Sequence, residues 1–138
     1  MEVDFLILAD GAQIAGDKLY VLGGGWTVIW GKEFPLSHTG AIAVGVMVGW
    51  DETNQRHSIE VPLLSEDGRQ IGDEPLVVGD FEVGRPPGVK VGTPQRFMVA
   101  GSVTISLEAP GRYEIVVKID GTDVKKSAFT AVEAPSRT

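Results

Sequence analysis

Apolar segments with a two-residue period follow one another from Glu2 to Val132 and are cut every eight to twelve residues by Gly, Pro or Asp-Gly. No stretch follows a helical period for more than a turn. Such a pattern folds as two packed antiparallel sheets or a barrel, because each strand has one apolar face and needs a second layer to cover it. The expectation is an all-β, single-domain antiparallel β-sandwich of immunoglobulin-like or C2-like type with about nine strands, spanning residues 1–133 with a tail at 134–138.

The chain has 138 residues, ordinary for one such domain and long enough to bury roughly two-thirds of its unfolded surface. It contains no cysteine, so disulfides, zinc–thiolate sites and thiol nucleophiles are excluded. The formal net charge of −7 opposes a phosphate backbone, and no basic face stands out, so no nucleic-acid partner is expected. Phe5-Leu6-Ile7-Leu8-Ala9 is too short for a signal sequence and follows Glu2 and Asp4 where a signal carries Lys or Arg. Ala41 to Trp50 is half the length of a membrane span. Together these point to a cytoplasmic protein without a membrane partner.

The first strand is expected over Glu2 to Ala9, with Val3, Phe5 and Ile7 on one face and Asp4, Leu6 and Leu8 on the other. Asp10-Gly11 and Gly16-Asp17 bracket a short excursion. Lys18 to Leu22 and Trp26 to Trp30 are short strands joined by Gly23-Gly24-Gly25, which is read as a bend or close approach. In Ala41 to Trp50 a β-branched row (Ile42, Val44, Val46, Val48, with Trp50) opposes a nearly bare one (Ala41, Ala43, Gly45, Met47, Gly49). The bare row implies a large group packed directly over the strand. Arg56 to Leu64 contains Pro62 and is placed at an edge or interrupted there. Glu66-Asp67-Gly68-Arg69 is a hairpin turn, and Leu76 to Val83 follows with Val77, Phe81 and Val83 inward. Gly84 to Pro94 holds three prolines and three glycines and is an irregular loop. Arg96 to Leu107 is long enough to cross a sheet, with a bend expected at Gly101. Pro110-Gly111 leads into Arg112 to Ile119, and Asp120-Gly121 closes a hairpin to Val124 through Val132.

Four stretches carry a family likeness. They are Ala9-Asp10 followed by Gly16-Asp17-Lys18-Leu19-Tyr20-Val21-Leu22-Gly23-Gly24-Gly25-Trp26, then Asn54-Gln55-Arg56-His57 with Asp67-Gly68, then Gly79 to Gly88, and Pro110-Gly111-Arg112-Tyr113-Glu114. Over nearly its whole length the chain resembles a family of small actinobacterial proteins classed as a domain of unknown function. The resemblance implies a free-standing cytoplasmic domain and assigns no activity, ligand, cofactor or catalytic residue.

Among candidate sites, Gly23-Gly24-Gly25 would cradle an anion if a helix followed, but Trp26 to Trp30 is strand-like, so a structural bend is the reading. Trp26 and Trp30, with Trp50, could form a sugar-stacking platform, but tryptophans among alternating aliphatics are more often core, and core packing is the favoured reading. Gly111-Arg112-Tyr113 matches a tyrosine corner, in which the hydroxyl bonds back to the preceding turn. His38 and His57 are isolated and give no metal site, and their serine neighbours would point to opposite faces, so no nucleophile–base pair forms. The carboxylates at Asp51-Glu52, Asp73-Glu74, Asp80, Glu82, Asp120 and Asp123 read as solvated surface. Arg85 and Lys90, on the proline-stiffened loop, are the leading candidates for binding residues, against the favoured alternative that the loop is an edge-covering connector.

The function expected on these grounds is a non-catalytic binding or assembly module. It would take a protein partner or associate with itself through edge strands, with no cofactor, metal or catalytic residues. Small-ligand binding through the aromatics or the Gly84 to Pro94 loop is the alternative, and a hydrolase ranks third.

Overall fold

The structure is a computed structural model and describes residues 1–135. It holds eleven strands, β1 (Glu2–Ala9), β2 (Gly11–Ala15), β3 (Lys18–Leu22), β4 (Val28–Gly31), β5 (Leu36–Val48), β6 (Arg56–Val61), β7 (Leu63–Ser65), β8 (Val77–Glu82), β9 (Gln95–Leu107), β10 (Gly111–Ile119) and β11 (Thr122–Glu133). The only helical element among the described residues is a 3₁₀ turn at Trp50–Glu52. A three-stranded sheet in the order β1-β5-β9 faces a six-stranded sheet in the order β4-β11-β10-β6-β8, with β7 beside β10, and β2-β3 is a separate hairpin.

The fold is therefore all-β, as the sequence implies, with two more strands than expected. One is β2, and the other arises because Arg56 to Leu64 is split at Pro62 into β6 and β7. The proline has no N–H to give, but its carbonyl accepts from Val116 N at 3.3 Å, so both halves stay beside β10. Of the two placements expected for this segment, the interruption is found; β6 lies between β10 and β8, and β7, after the proline, has β10 as its only strand neighbour among the described residues. The pairing is not purely antiparallel either, because β4 runs parallel to β11.

The centre of the small sheet is the β5–β9 ladder, antiparallel and in register without a shift from Leu36↔Leu107 to Val48↔Gln95. The register runs straight through Gly101, so the bend expected there does not interrupt the strand. Ile42, Val44, Val46 and Val48 project into the common core and meet Ile59, Val61, Ile115, Val117 and Phe129 of the larger sheet. Trp50 does not join that row, because the strand ends at Val48 and the chain turns.

The opposite face of β5 is buried as well: Ala41 and Ala43 are as inaccessible as the core valines. Phe5, paired across from Gly45, lays its ring so closely over that residue that an added Cβ would fall 2.1 Å from Phe5 Cε1. The bare row is thus the floor for an aromatic ring, and the β2-β3 hairpin lies against β5 and β9.

This arrangement requires a bulge. The β1–β5 register shifts between Val3 and Phe5, which leaves Asp4 as the extra residue. Val3 then faces the core with Leu6 and Leu8, while Phe5, Ile7 and Ala9 face outward. The strict alternation expected from the sequence, with Val3, Phe5 and Ile7 on one face, is corrected by that single residue.

The turn dipeptides behave as their chemistry requires. Gly16 (φ 57) and Asp17 (φ 61) join β2 to β3, and Asp120 (φ 51) and Gly121 (φ 81) join β10 to β11. Two consecutive positive φ values match the right-handed twist of a tight hairpin. At the other end, Ala134 N donates to Gly31 O at 2.7 Å, so the chain is still held at the first residue of the expected tail. Ser136, Arg137 and Thr138 lie outside the described residues.

The close approach at Gly45 gives a direct test. Gly45→Ala is expected to destabilise the protein by about 1–3 kcal/mol through overpacking. The loss should shrink in a Phe5→Leu background, measured by urea unfolding of both single variants and the double variant. Additive losses would show that Phe5 does not set the limit at Gly45.

Candidate functional site

The two long sides of the molecule differ. On one side Gly25 N donates to Leu8 O at 2.9 Å and Asp10 N donates to Leu22 O at 3.0 Å, so chain passing from β3 to β4 covers the free edge of β1. Gly24 fits there because an added Cβ would lie 2.8 Å from Val21 Cγ1 and 3.2 Å from Ile7 Cγ2. The glycine triplet is therefore a close approach of backbone to side chains, as its composition suggests.

On the other side the sheets end in β8 and β9, and the gap between them is filled by Phe81 stacked on Phe97 with ring centroids 4.3 Å apart. β8 is six residues long and carries Asp80 and Glu82. β9 is thirteen residues long, and among the described residues no strand other than β5 pairs with it. No loop backbone bond reaches it either. From Phe97 to Leu107 it has no charged residue and no proline. Natural edge strands are blunted by shortness, charge, proline or a bulge, and this one has none of these over about 35 Å.

A second constellation lies where the 3₁₀ turn meets the Gly84 to Pro94 loop. Arg85 Nε donates to Thr53 Oγ1 at 2.6 Å, and Arg85 Nη2 donates to Trp50 O at 2.7 Å. The Arg85 guanidinium carbon sits 3.9 Å from the Trp50 ring centroid. Thr53 Oγ1 donates in turn to Trp50 O at 2.6 Å. Arg85, one of the expected binding residues, directs Nε and Nη2 to acceptors of its own chain. It braces the loop against residues 50–53. Lys90 is exposed at the following turn, where Thr93 N donates to Lys90 O at 3.1 Å, and its side chain forms no ion pair among the described residues.

Beside this brace, His57 is 7% exposed and both ring nitrogens are engaged. Nδ1 lies 2.8 Å from Asp120 Oδ2, and Nε2 lies 2.7 Å from Glu52 O. Both partners are acceptors, so the arrangement is satisfied in full only by the imidazolium, which donates from each nitrogen. Burial disfavours that charge, but the Glu52 carbonyl and the Asp120 carboxylate outweigh it and hold the His57 pKa above 6.5. Asp120 is held below its ordinary value, first by the Ser58 N–H on Oδ1 at 2.9 Å and then by His57. The reading of His57 as isolated missed this contact, because it depends on β6 lying beside β10. With both nitrogens occupied, His57 is a pin between the 3₁₀ turn and the β10–β11 turn.

The tryptophans do not form a platform. Trp26 packs edge-on against His38 and Phe129, at centroid distances of 5.3 and 6.2 Å. Trp30 points outward from β4 and is 64% exposed, and Trp50 lies under Arg85. Tyr113 makes the expected corner, its buried hydroxyl donating to Ala109 O at 2.5 Å. Next to it the turns at 65–73 and 106–112 flank an open cleft of about 850 Å³, lined by Arg69, Asp73, Glu108 and Arg112 among others. Among the described residues no three His, Asp or Glu side chains converge on a point where a metal ion could bind, and no helix is long and apolar enough to cross a membrane.

Fold and site together define an all-β module with one stitched side and one open side. The chain belongs to the Family of unknown function (DUF6941), whose model matches residues 4–132. No curated protein matches it. Among solved structures, the Pseudomonas fluorescens alkylpurine DNA glycosylase AlkC bound to DNA containing an abasic site analog aligns at 12% identity and a TM-score of 0.44. The alignment covers 76% of this chain and 27% of that one, so the chain spans about a quarter of that protein. The likeness is too low to inform function.

Two measurements check the braced end. His57 binds its proton more tightly folded than unfolded, so its contribution is complete below the unfolded pKa and disappears as pH rises through the folded one. Asp120 contributes the reverse, present above its unfolded pKa and lost as pH falls through its folded one. Stability should therefore decline as pH rises from about the ordinary histidine pKa of 6.5 through the higher folded-state one, and Asp120→Asn should flatten that slope. An NMR titration of His57 with a midpoint below 6.5 would contradict the imidazolium. Separately, Arg85→Ala should cost about 1–3 kcal/mol in chemical unfolding, where an uninvolved surface position costs about 0.5 kcal/mol or less.

Proposed function

We propose that this protein is a non-catalytic binding or assembly module whose working surface is the free edge of β9. The observation that carries the reading is the edge itself: thirteen residues in unbroken register with β5, uncharged from Phe97 to Leu107, and unpaired on the far side. Every second residue of an edge strand turns its N–H and C=O outward, so an added strand gains a regular row of hydrogen bonds. Exposed edges of this kind form intermolecular sheets unless something blunts them. The Arg85 and His57 braces hold the neighbouring turns still, so the strand meets a prepared surface.

Small-ligand binding is the second reading, and the cleft beside Tyr113 is the observation that favours it. Its residues differ from the aromatics and the Gly84 to Pro94 loop that the sequence suggested.

In-cell photo-crosslinking separates the two. A photoreactive phenylalanine at Ser102 or Thr104, both exposed on β9, is expected to give a discrete protein adduct, while the same group at Trp30 or Lys90 gives none. The adduct should vanish when Ser106→Lys is added, because a lysine on the edge opposes strand addition. No adduct at either β9 position, or one that survives the lysine, would refute the edge reading.

A further inference from the structure

We infer that the strand received by β9 is the β9 of a second copy of this chain, paired antiparallel across a two-fold axis. The inference rests on the reading of β9 as an interaction edge and names its partner. Three observations lead to it.

The first is charge. The chain carries −7, so two copies repel over most of their surface. The eleven residues from Phe97 to Leu107 are neutral, and there two copies meet without opposing like charges. A foreign strand gains no advantage from charge complementarity at such an edge, whereas an identical one meets no penalty.

The second is self-complementarity. A two-fold axis perpendicular to the sheet returns core-facing residues to core-facing residues, so the alternation of β9 is compatible with itself. With the axis at Gly101, Phe97 lies opposite the partner's Ile105 and Val99 opposite the partner's Val103 on the core side. On the outer side Met98 lies opposite the partner's Thr104 and Ala100 opposite the partner's Ser102. Arg96, the one charge on β9, faces the partner's Ser106. Aromatic–β-branched and β-branched pairs are among the favourable cross-strand neighbours. Gly101 places no side chain at the axis.

The third is an unfinished core. Val103, Ile105 and Leu107 are buried on the inner face of β9, while Phe97, stacked on Phe81, and Val99 are only half-buried. A second strand on that edge extends the apolar layer over both. The two three-stranded sheets then become one sheet in the order β1-β5-β9-β9-β5-β1.

Sedimentation of the intact chain from micromolar to millimolar concentration tests the inference. The weight-average mass is expected to rise toward twice that of one chain. Ser102→Lys with Ser106→Lys should weaken association at least tenfold, while Ser102→Thr with Ser106→Thr should leave it intact, all three proteins melting cooperatively. Should the lysine variant fail to fold, amide exchange of the unmodified protein decides instead. Alternate β9 amides should exchange at least tenfold more slowly at high concentration than at low. A monomer throughout the range, association that survives the lysines, or β9 exchange independent of concentration would overturn the inference. Failure of this inference differs from failure of the edge reading in the crosslinking experiment: a β9 adduct containing a different protein, with the pure chain monomeric, removes self-pairing and leaves the interaction edge standing.

Discussion

The rest of the molecule hangs on the unbroken ladder between β5 and β9. Thirteen consecutive pairs put a row of Ile42, Val44, Val46 and Val48 into the common core with no residue out of phase. Because side chains alternate with a period of two, a slip of one residue would turn that row outward and bring Ala41, Ala43 and Gly45 inward. The apolar area separating the two rows is large, so the register has no near competitor. Every other contact is arranged around this pair: β1 pairs with its free side, the hairpin lies across its small-residue face, and the larger sheet closes on its valines.

The small-residue face sets the second constraint. A strand buried on both sides is usually apolar on both, and here one side is apolar while the other is nearly without side chains. That lets Phe5 lie flat on Gly45 and brings the β2-β3 hairpin close. The Asp4 bulge makes this possible, since it moves Phe5 off the core face without breaking the strand. Asp4 is then paired with Arg96 across β5, with Nε 2.9 Å from Oδ2, so the residue extruded by the bulge ties β1 to β9. Packing and electrostatics thus coincide at one backbone irregularity.

Much of this architecture is legible in local chemistry. The limits of β1 and β3, the Gly16-Asp17 and Asp120-Gly121 turns, the bare face of β5 and the corner at Tyr113 all follow from short-range pattern and turn preference. What is not legible depends on partners. The Asp4 bulge is invisible because Glu2 to Ala9 alternates plausibly in either phase until β5 fixes its register. β2 escapes notice because Gly11-Ala12-Gln13-Ile14-Ala15 has one large apolar residue and forms a strand only against β3. The candidate site is least legible of all. His57 and Asp120 are 63 residues apart and meet only because β6 lies beside β10. Arg85 is 32 residues from Thr53, and on sequence alone a lone arginine on a stiff loop reads as outward-facing. Sequence locates the loop; only the tertiary arrangement shows that its cation lies across Trp50 of its own chain.

A sheet that curls toward closure has to resolve two free edges, and this chain treats them differently. On the β1 side the strand-to-strand crossing at Gly23-Gly24-Gly25 bonds to Leu8, using glycines where any side chain would collide. Among the described residues no equivalent segment crosses from β8 to β9. The connecting loop of residues 83–94 is instead drawn away by Arg85 onto the Trp50 turn, and the stacked Phe81 and Phe97 fill the gap from within. The loop that is long enough to shield the β9 edge is therefore held against the end of the molecule. The Arg85 contacts thus hold one end of the loop at the Trp50 turn, while the eleven uncharged residues from Phe97 to Leu107 have no strand on their far side among the described residues.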